Sequence, residues 1–343
     1  MSTKISITNW GSHKGRELLL FKIENASGSY VELTNFGATL VSVVVPDKHN
    51  NKENVVLGFQ NAEGYLEDTC YIGATIGRFA NRIGNASFVI DGIKRQLERN
   101  DGQHSNHGGT SGFNSKVFHA EVEKEGILFY LLSEDGEGGY PGNLIVNVRY
   151  RWTQSSELMI SYTAFTDKLS IANFTNHSYF NLGGDKGGIL DHVLTVYSER
   201  MLESGEGYIP TGAIVPCSGL SFSNTKIKDR MRLSQGVMRG INQYYILAKE
   251  NKAGLQLAAE LSEALSGRIL RVYTSYPGLM VYTGDFLSSR IAGHNGQVYR
   301  PFDGLCLECQ YYPDSPNQPS FPQTLIAPGQ VYNEHIVFAF GVI

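Results

Sequence analysis

Apolar and polar residues alternate with a period of two along most of the chain, and glycine-centred turns interrupt the alternation at intervals. Residues 30–46, YVELTNFGATLVSVVVP, predict two strands around an Asn35-Phe36-Gly37 turn. The same pattern returns at 87–97, 116–133, 143–153, 158–166, 193–197 and 254–259. Helical periodicity is confined to two short windows, 62–66 and 260–265. No linker rich in Pro or Ser, block of like charge or internal repeat divides the sequence. The pattern therefore predicts one domain over residues 1–343, all-β, folded as a large antiparallel β-sandwich with a cleft on the concave face of one sheet.

Within this pattern the stretch Thr175-Asn176-His177-Ser178-Tyr179-Phe180-Asn181-Leu182-Gly183-Gly184 carries the most chemistry. Read as a strand, it sends Phe180 and Leu182 to one face and His177, Tyr179 and Asn181 to the other. An imidazole, a phenol and an amide on one face suit a polyhydroxylated ligand. The alternative is a buried histidine satisfied by neighbouring backbone.

Composition narrows the class. The 38 glycines, 19 tyrosines and 17 phenylalanines, with 41% apolar and 18% charged residues, favour strands and turns over helices and exclude disorder. The net charge is -4 and no basic stripe is present, which argues against nucleic acid and anionic membranes as partners. There is neither a signal-peptide core nor an 18-residue apolar run, so a soluble, cytoplasmic protein is expected. Cys306 and Cys309 form a C-x-x-C, but in a strand they point to opposite faces and no second pair completes four ligands, so no metal is expected there.

Three further segments place polar groups in apolar surroundings. Asn81 and Arg82 follow an apolar strand, and arginine offers a fork of donors for hydroxyls or a carboxylate; tying down a loop is its alternative use. His107 precedes two glycines that permit unusual backbone angles, or else lies merely exposed on a turn. In residues 304–317, alternation sends Leu305, Leu307 and Cys309 one way and Glu308 with Gln310 the other. A glutamate in an apolar strand is costly unless it is paired or functional.

These four segments, with Val56-Leu57-Gly58-Phe59, Gly139-Tyr140-Pro141-Gly142, Tyr282-Thr283-Gly284 and Phe321-Pro322-Gln323-Thr324-Leu325, resemble the aldose 1-epimerase (galactose mutarotase) family in order, over roughly residues 31–340. The resemblance implies that family's β-supersandwich and the interconversion of α and β anomers of a free aldose. It implies Glu308 as catalytic base and His177 as catalytic acid, with His107 and Arg82 binding sugar. The chemistry asks for these groups independently: opening a hemiacetal removes the C1 hydroxyl proton and protonates the ring oxygen, with no cofactor. Asn81 belongs with the binding residues, and Tyr179 and Tyr282 are candidates to pack on a pyranose face.

Two positions depart from the family pattern. Where Gly-Tyr-Asp-His-Asn is usual, this chain has Gly240-Ile241-Asn242-Gln243-Tyr244, so an anionic acceptor is replaced by Asn242. A position that is often glutamine is Met280. Asp285 stands where asparagine is common, and alternation turns it away from the face of Tyr282. Two other functions compete. A sugar-phosphate epimerase would need a cluster of cations, for which only Arg78 and Arg82 are near. A sugar-binding protein without turnover would have no need of a matched acid and base. The expected partner is a free monosaccharide substrate, and the expected state is a monomer or homodimer.

Overall fold

The computed structural model describes residues 3–184, 186–234, 237–248 and 254–343. Three antiparallel sheets form its frame. Nine strands run in the order His119–Glu123, Gly126–Ser133, Leu144–Trp152, Glu157–Thr166, Tyr332–Val342, Arg268–Thr274, Gln256–Ser262, Val193–Val196 and Thr225–Lys226. Six run in the order Tyr179–Phe180, Leu305–Gln310, Gly278–Tyr282, Asn242–Ile246, Arg200–Ser204 and Pro210–Pro216. A meander of five, Lys4–His13, Arg16–Glu24, Tyr30–Thr34, Thr39–Pro46 and Lys52–Asn54, makes the third.

The six-stranded sheet has a buried face on each side. Leu279, Val281, Leu305, Leu307 and Cys309 join Val146, Val148, Ile160 and Phe338 of the nine-stranded sheet in one apolar cluster. Successive side chains alternate across a strand, so the intervening Cys306, Glu308, Met280 and Tyr282 turn to the opposite face. Loops from the first third of the chain cover that face. Cys306 and Tyr282 there pack with Tyr179 and Leu57, and Met280 packs with Tyr244, Tyr312 and Phe321. The functional cavity opens between this face and its loops.

The strands around the turn at residue 36, the hairpin Ser87–Ile90 with Ile93–Gln96, and the helix Ala62–Leu66 lie where periodicity predicts them. Asn61 caps the helix, its Oδ1 accepting from Gly64 N at 3.2 Å. The second expected helix is overturned. Strand Gln256–Ser262 runs through the start of the 260–265 window, paired on both sides, and the Glu263 carboxylate then accepts from Leu265 N and Ser266 N to build a turn. The apparent helical spacing there is the end of a strand running into a hairpin. No helix among the described residues is long and apolar enough to cross a membrane.

Candidate active site

A cavity of about 890 Å³ is lined by residues from the loops 69–107, the turn at 206–209 and the outer face of the six-stranded sheet. Every residue singled out above as a site residue, Glu308, His177, His107, Arg82, Asn81, Asn242, Tyr179, Tyr282 and Met280, lies on its wall.

His177 arrives by a break in its strand. Thr175–Asn176 pairs with Thr75–Ile76, and Tyr179–Phe180 pairs with Leu305 and Cys306. Between them Asn176 Oδ1 accepts from the Ser178 amide and hydroxyl, at 3.2 and 2.6 Å. Such a side-chain turn competes with ladder pairing, and it leaves His177 at the kink. Its backbone is still anchored, N to Ala74 O and O to Gly73 N. Tyr179 points the same way as expected, while Phe180 and Leu182 enter the main core. Asn181 is a correction: its amide donates to Gly187 O and Asp303 O, fixing a loop away from the cavity.

Glu308 is 2% exposed and sits across from Met280 in the sheet register. Its Oε1 is 3.7 Å from His177 Nε2, beyond hydrogen-bond length, and its buried Oε2 has no partner among the described residues. Burial pushes the carboxyl up to about 8, opposed in part by the Arg82 charge. Burial likewise pushes the His177 imidazole down to about 4. Both shifts disfavour the charged form, as desolvation must.

The two histidines differ in what holds their Nδ1. That of His107 accepts the Asn81 N–H at 3.2 Å, which places its proton on Nε2. Burial, with the His177 and Arg82 charges, holds His107 well below the usual imidazole range. It is a neutral group. The Nδ1 of His177 lies 3.6 Å from Cys306 Sγ. A thiol can donate weakly to a neutral imidazole or accept from an imidazolium, so His177 is free to change protonation state.

Aromatic rings fix both imidazoles. Tyr71 lies 4.8 Å from the His107 ring and 5.8 Å from the His177 ring, and Tyr179 lies 5.2 Å from His177. Tyr179 is 1% exposed and backs the histidine and Tyr282. Tyr71, Asn81 and His107 all have positive φ, of 60, 67 and 54°, a conformation that costs a non-glycine residue of order 1–3 kcal/mol. The glycine after His107 is obligatory, since a Cβ at Gly108 would lie 2.0 Å from Gly77 O.

Arg82 is bound through Nε to Asp101 at 2.7 Å. Arg78 is another correction. It is 2% exposed and its guanidinium is spent on Ser133 and on the carbonyls of Glu134, Pro141 and Gly142, so it ties down loops and offers nothing to the cavity. Among the described residues Arg82 is the one arginine or lysine on the wall, beside the carboxylates of Asp101, Glu206, Glu308 and Asp314. Asn242 pairs with Tyr282 in the sheet, and Asp285 turns to Gly240 N instead of the cavity. His107, His177 and Glu308 also bring one potential ligand atom each within 4.8 Å of one another, the donor set of a possible divalent-ion site.

Sequence reasoning passed over Tyr71, Cys306, Asp101 and Tyr208 as parts of this wall or its support. Cys306 had a signal, since it shares the parity of Glu308 on one strand. The other three sit in irregular loops with no periodicity to mark them.

The chain as a whole is similar to known proteins. Residues 20–339 match the family model described as aldose 1-epimerase. The chain is 41% identical to the galactose mutarotase of Mus musculus over 91% of both chains, and 33% identical to the aldose 1-epimerase of Escherichia coli (strain K12) over 95% of this chain and 96% of that one. It is also similar in structure to a galactose 1-epimerase from Lactobacillus acidophilus, with a TM-score of 0.84 at 26% identity over 99% of each chain. The chain belongs to the aldose 1-epimerase family.

Proposed function

We propose that this chain, working as one domain, interconverts the α and β anomers of a free aldose such as galactose or glucose, with Glu308 as base and His177 as acid. The observation that carries the roles is the buried Glu308–His177 pair, 3.7 Å apart and without a hydrogen bond between them, on the wall of one cavity. The C1 hydroxyl and the ring oxygen of an aldose are both bonded to C1, so two groups this close serve both. Glu308 takes the hydroxyl proton and His177 delivers one to the ring oxygen, which breaks the C1–O5 bond and leaves an aldehyde. Rotation about C1–C2 presents its other face, and closure reverses both transfers. Opening carries the pair from carboxylate and imidazolium to neutral acid and neutral imidazole, the placement that burial favours.

The neutral His107, with its proton on Nε2, donates to a sugar hydroxyl. Arg82, Asn81 and Asn242 bind further hydroxyls, and Tyr282 with Met280 supplies apolar surface. A sugar phosphate is disfavoured, because a single paired arginine among four carboxylates is a poor phosphate site. The two proton transfers need no metal ion or organic cofactor.

The test is the optical rotation of freshly dissolved α-galactose and α-glucose, with and without protein and with a chelator present. Chelator-resistant acceleration is expected. Glu308→Gln should lower kcat at least about 100-fold while galactose binding stays within a few fold. Mutarotation by Glu308→Gln at the wild-type rate would show that the base is misassigned.

A further inference from the structure

Arg82 contacts a second protein group besides Asp101. Its guanidinium carbon lies 5.0 Å from the centre of the Tyr208 ring, within the range of a cation–π contact. Only Nε is used within the protein among the described residues, by Asp101, so the terminal nitrogens stay available to a ligand in the cavity that Arg82 lines. The guanidinium is thus gripped by a carboxylate and an aromatic face from two different loops.

The turn that carries Tyr208 is built for this approach. Gly207 and Tyr208 both have left-handed φ, 63 and 60°, and a non-glycine residue adopts that conformation only when its surroundings hold it there. Gly207 lies so close to the imidazole of His104 that an added Cβ would fall 2.9 Å from Nε2. His104 and Asp101 share one small turn, joined by backbone hydrogen bonds. The Tyr208 turn therefore rests on the same loop that supplies the carboxylate. The Tyr208 ring also meets Phe286, whose N–H donates to the Tyr282 hydroxyl. The Tyr208 hydroxyl makes no hydrogen bond among the described residues.

We propose that Tyr208 is a positioning residue for Arg82: its ring and the Asp101 carboxylate together hold the guanidinium where its terminal nitrogens meet the sugar hydroxyls. This rests on the reading of Arg82 as a sugar-binding group. The ring face is the working part and the hydroxyl is dispensable.

The experiment is a double-mutant cycle on galactose turnover. Tyr208→Ala should raise KM about two- to fivefold, the range of a partly exposed cation–π contact, with kcat within about twofold. Tyr208→Phe should restore wild-type behaviour. Arg82→Gln should raise KM roughly tenfold or more, and adding Tyr208→Ala to it should change nothing further. Equal losses from Tyr208→Ala in both backgrounds, or a Tyr208→Phe protein as weak as Tyr208→Ala, would overturn the proposal. Galactose affinity by calorimetry in the same proteins reads the cycle without turnover. Absence of mutarotation by the wild type would sink the proposed activity alone, while additive losses of affinity would sink the role of Tyr208 alone.

Discussion

Burial raises Glu308 to about 8 and lowers His177 to about 4. Between those values the two groups hold one proton, resting on Glu308, and one proton is the count the reaction requires. A second proton removes the base, and loss of the last removes the acid. For kcat/KM on galactose we expect a bell with apparent pKa values near 4 and near 8. A profile still flat at pH 10 would contradict the single proton. At Asn242 the argument concerns charge: a hydrogen bond to an ionised acceptor is worth about 1.5–3 kcal/mol against about 0.5–1.5 for a neutral one. Asn242→Asp should therefore lower the galactose KM by up to about tenfold and sharpen discrimination against a deoxy sugar. Unchanged KM values for both sugars would show that this residue does not set specificity.

Strand Gly278–Tyr282 delivers Met280 and Tyr282 to the cavity, and its register against Leu305–Gln310 aligns Met280 with Glu308. Gly278 permits this closeness. An added Cβ would sit 2.0 Å from the Tyr244 hydroxyl, which donates to the Gln310 carbonyl at 2.9 Å. Gly278→Ala should expel that hydroxyl and destabilise the protein by about 1–3 kcal/mol, read as a lower urea midpoint; an unchanged midpoint would mean the sheet yields without cost. Elements such as these were legible in the sequence where side chains alternate cleanly, as at 305–310, because strand parity alone separates Leu307 from Glu308. Legibility failed where a local turn overrides parity. The Asn176 side chain bends the chain at His177, two loop carbonyls take up the Asn181 amide, and the hairpin after Ser262 imitates helical spacing. Tyr71, Asp101 and Tyr208 were invisible for a related reason. Each is placed by loop conformation, left-handed at two of the three, and no pattern of hydrophobicity encodes that.

At the scale of the molecule, one apolar cluster holds residues from Phe21 to Phe340 and takes Leu305, Leu307 and Cys309 from the strand whose other face carries Glu308, so the buried charge on that strand bears on global stability. The order of strands across the sheets was not legible, because pairing partners such as Glu157–Thr166 and Tyr332–Val342 are far apart in the sequence and share only the generic alternation. The sign of the pH dependence follows from the two buried groups. Glu308 rises from 4.5 unfolded to about 8 folded, so its contribution is fully present below pH 4.5 and is lost as pH rises through about 8. His177 falls from 6.5 to about 4, so its contribution is present above pH 6.5 and is lost as pH falls through about 4. Between 4.5 and 6.5 the two slopes cancel. From this pair alone, stability is level in that window, declines toward pH 4 and declines again from 6.5 to 8. Glu308→Gln removes the alkaline loss. Its stability relative to wild type should grow steadily from pH 4.5 to 8, by up to a few kcal/mol, and then stop growing. Urea denaturation of both proteins at intervals across that range measures the difference. A difference independent of pH would mean that Glu308 is ionised in the folded protein, and that the base is ready before the sugar arrives.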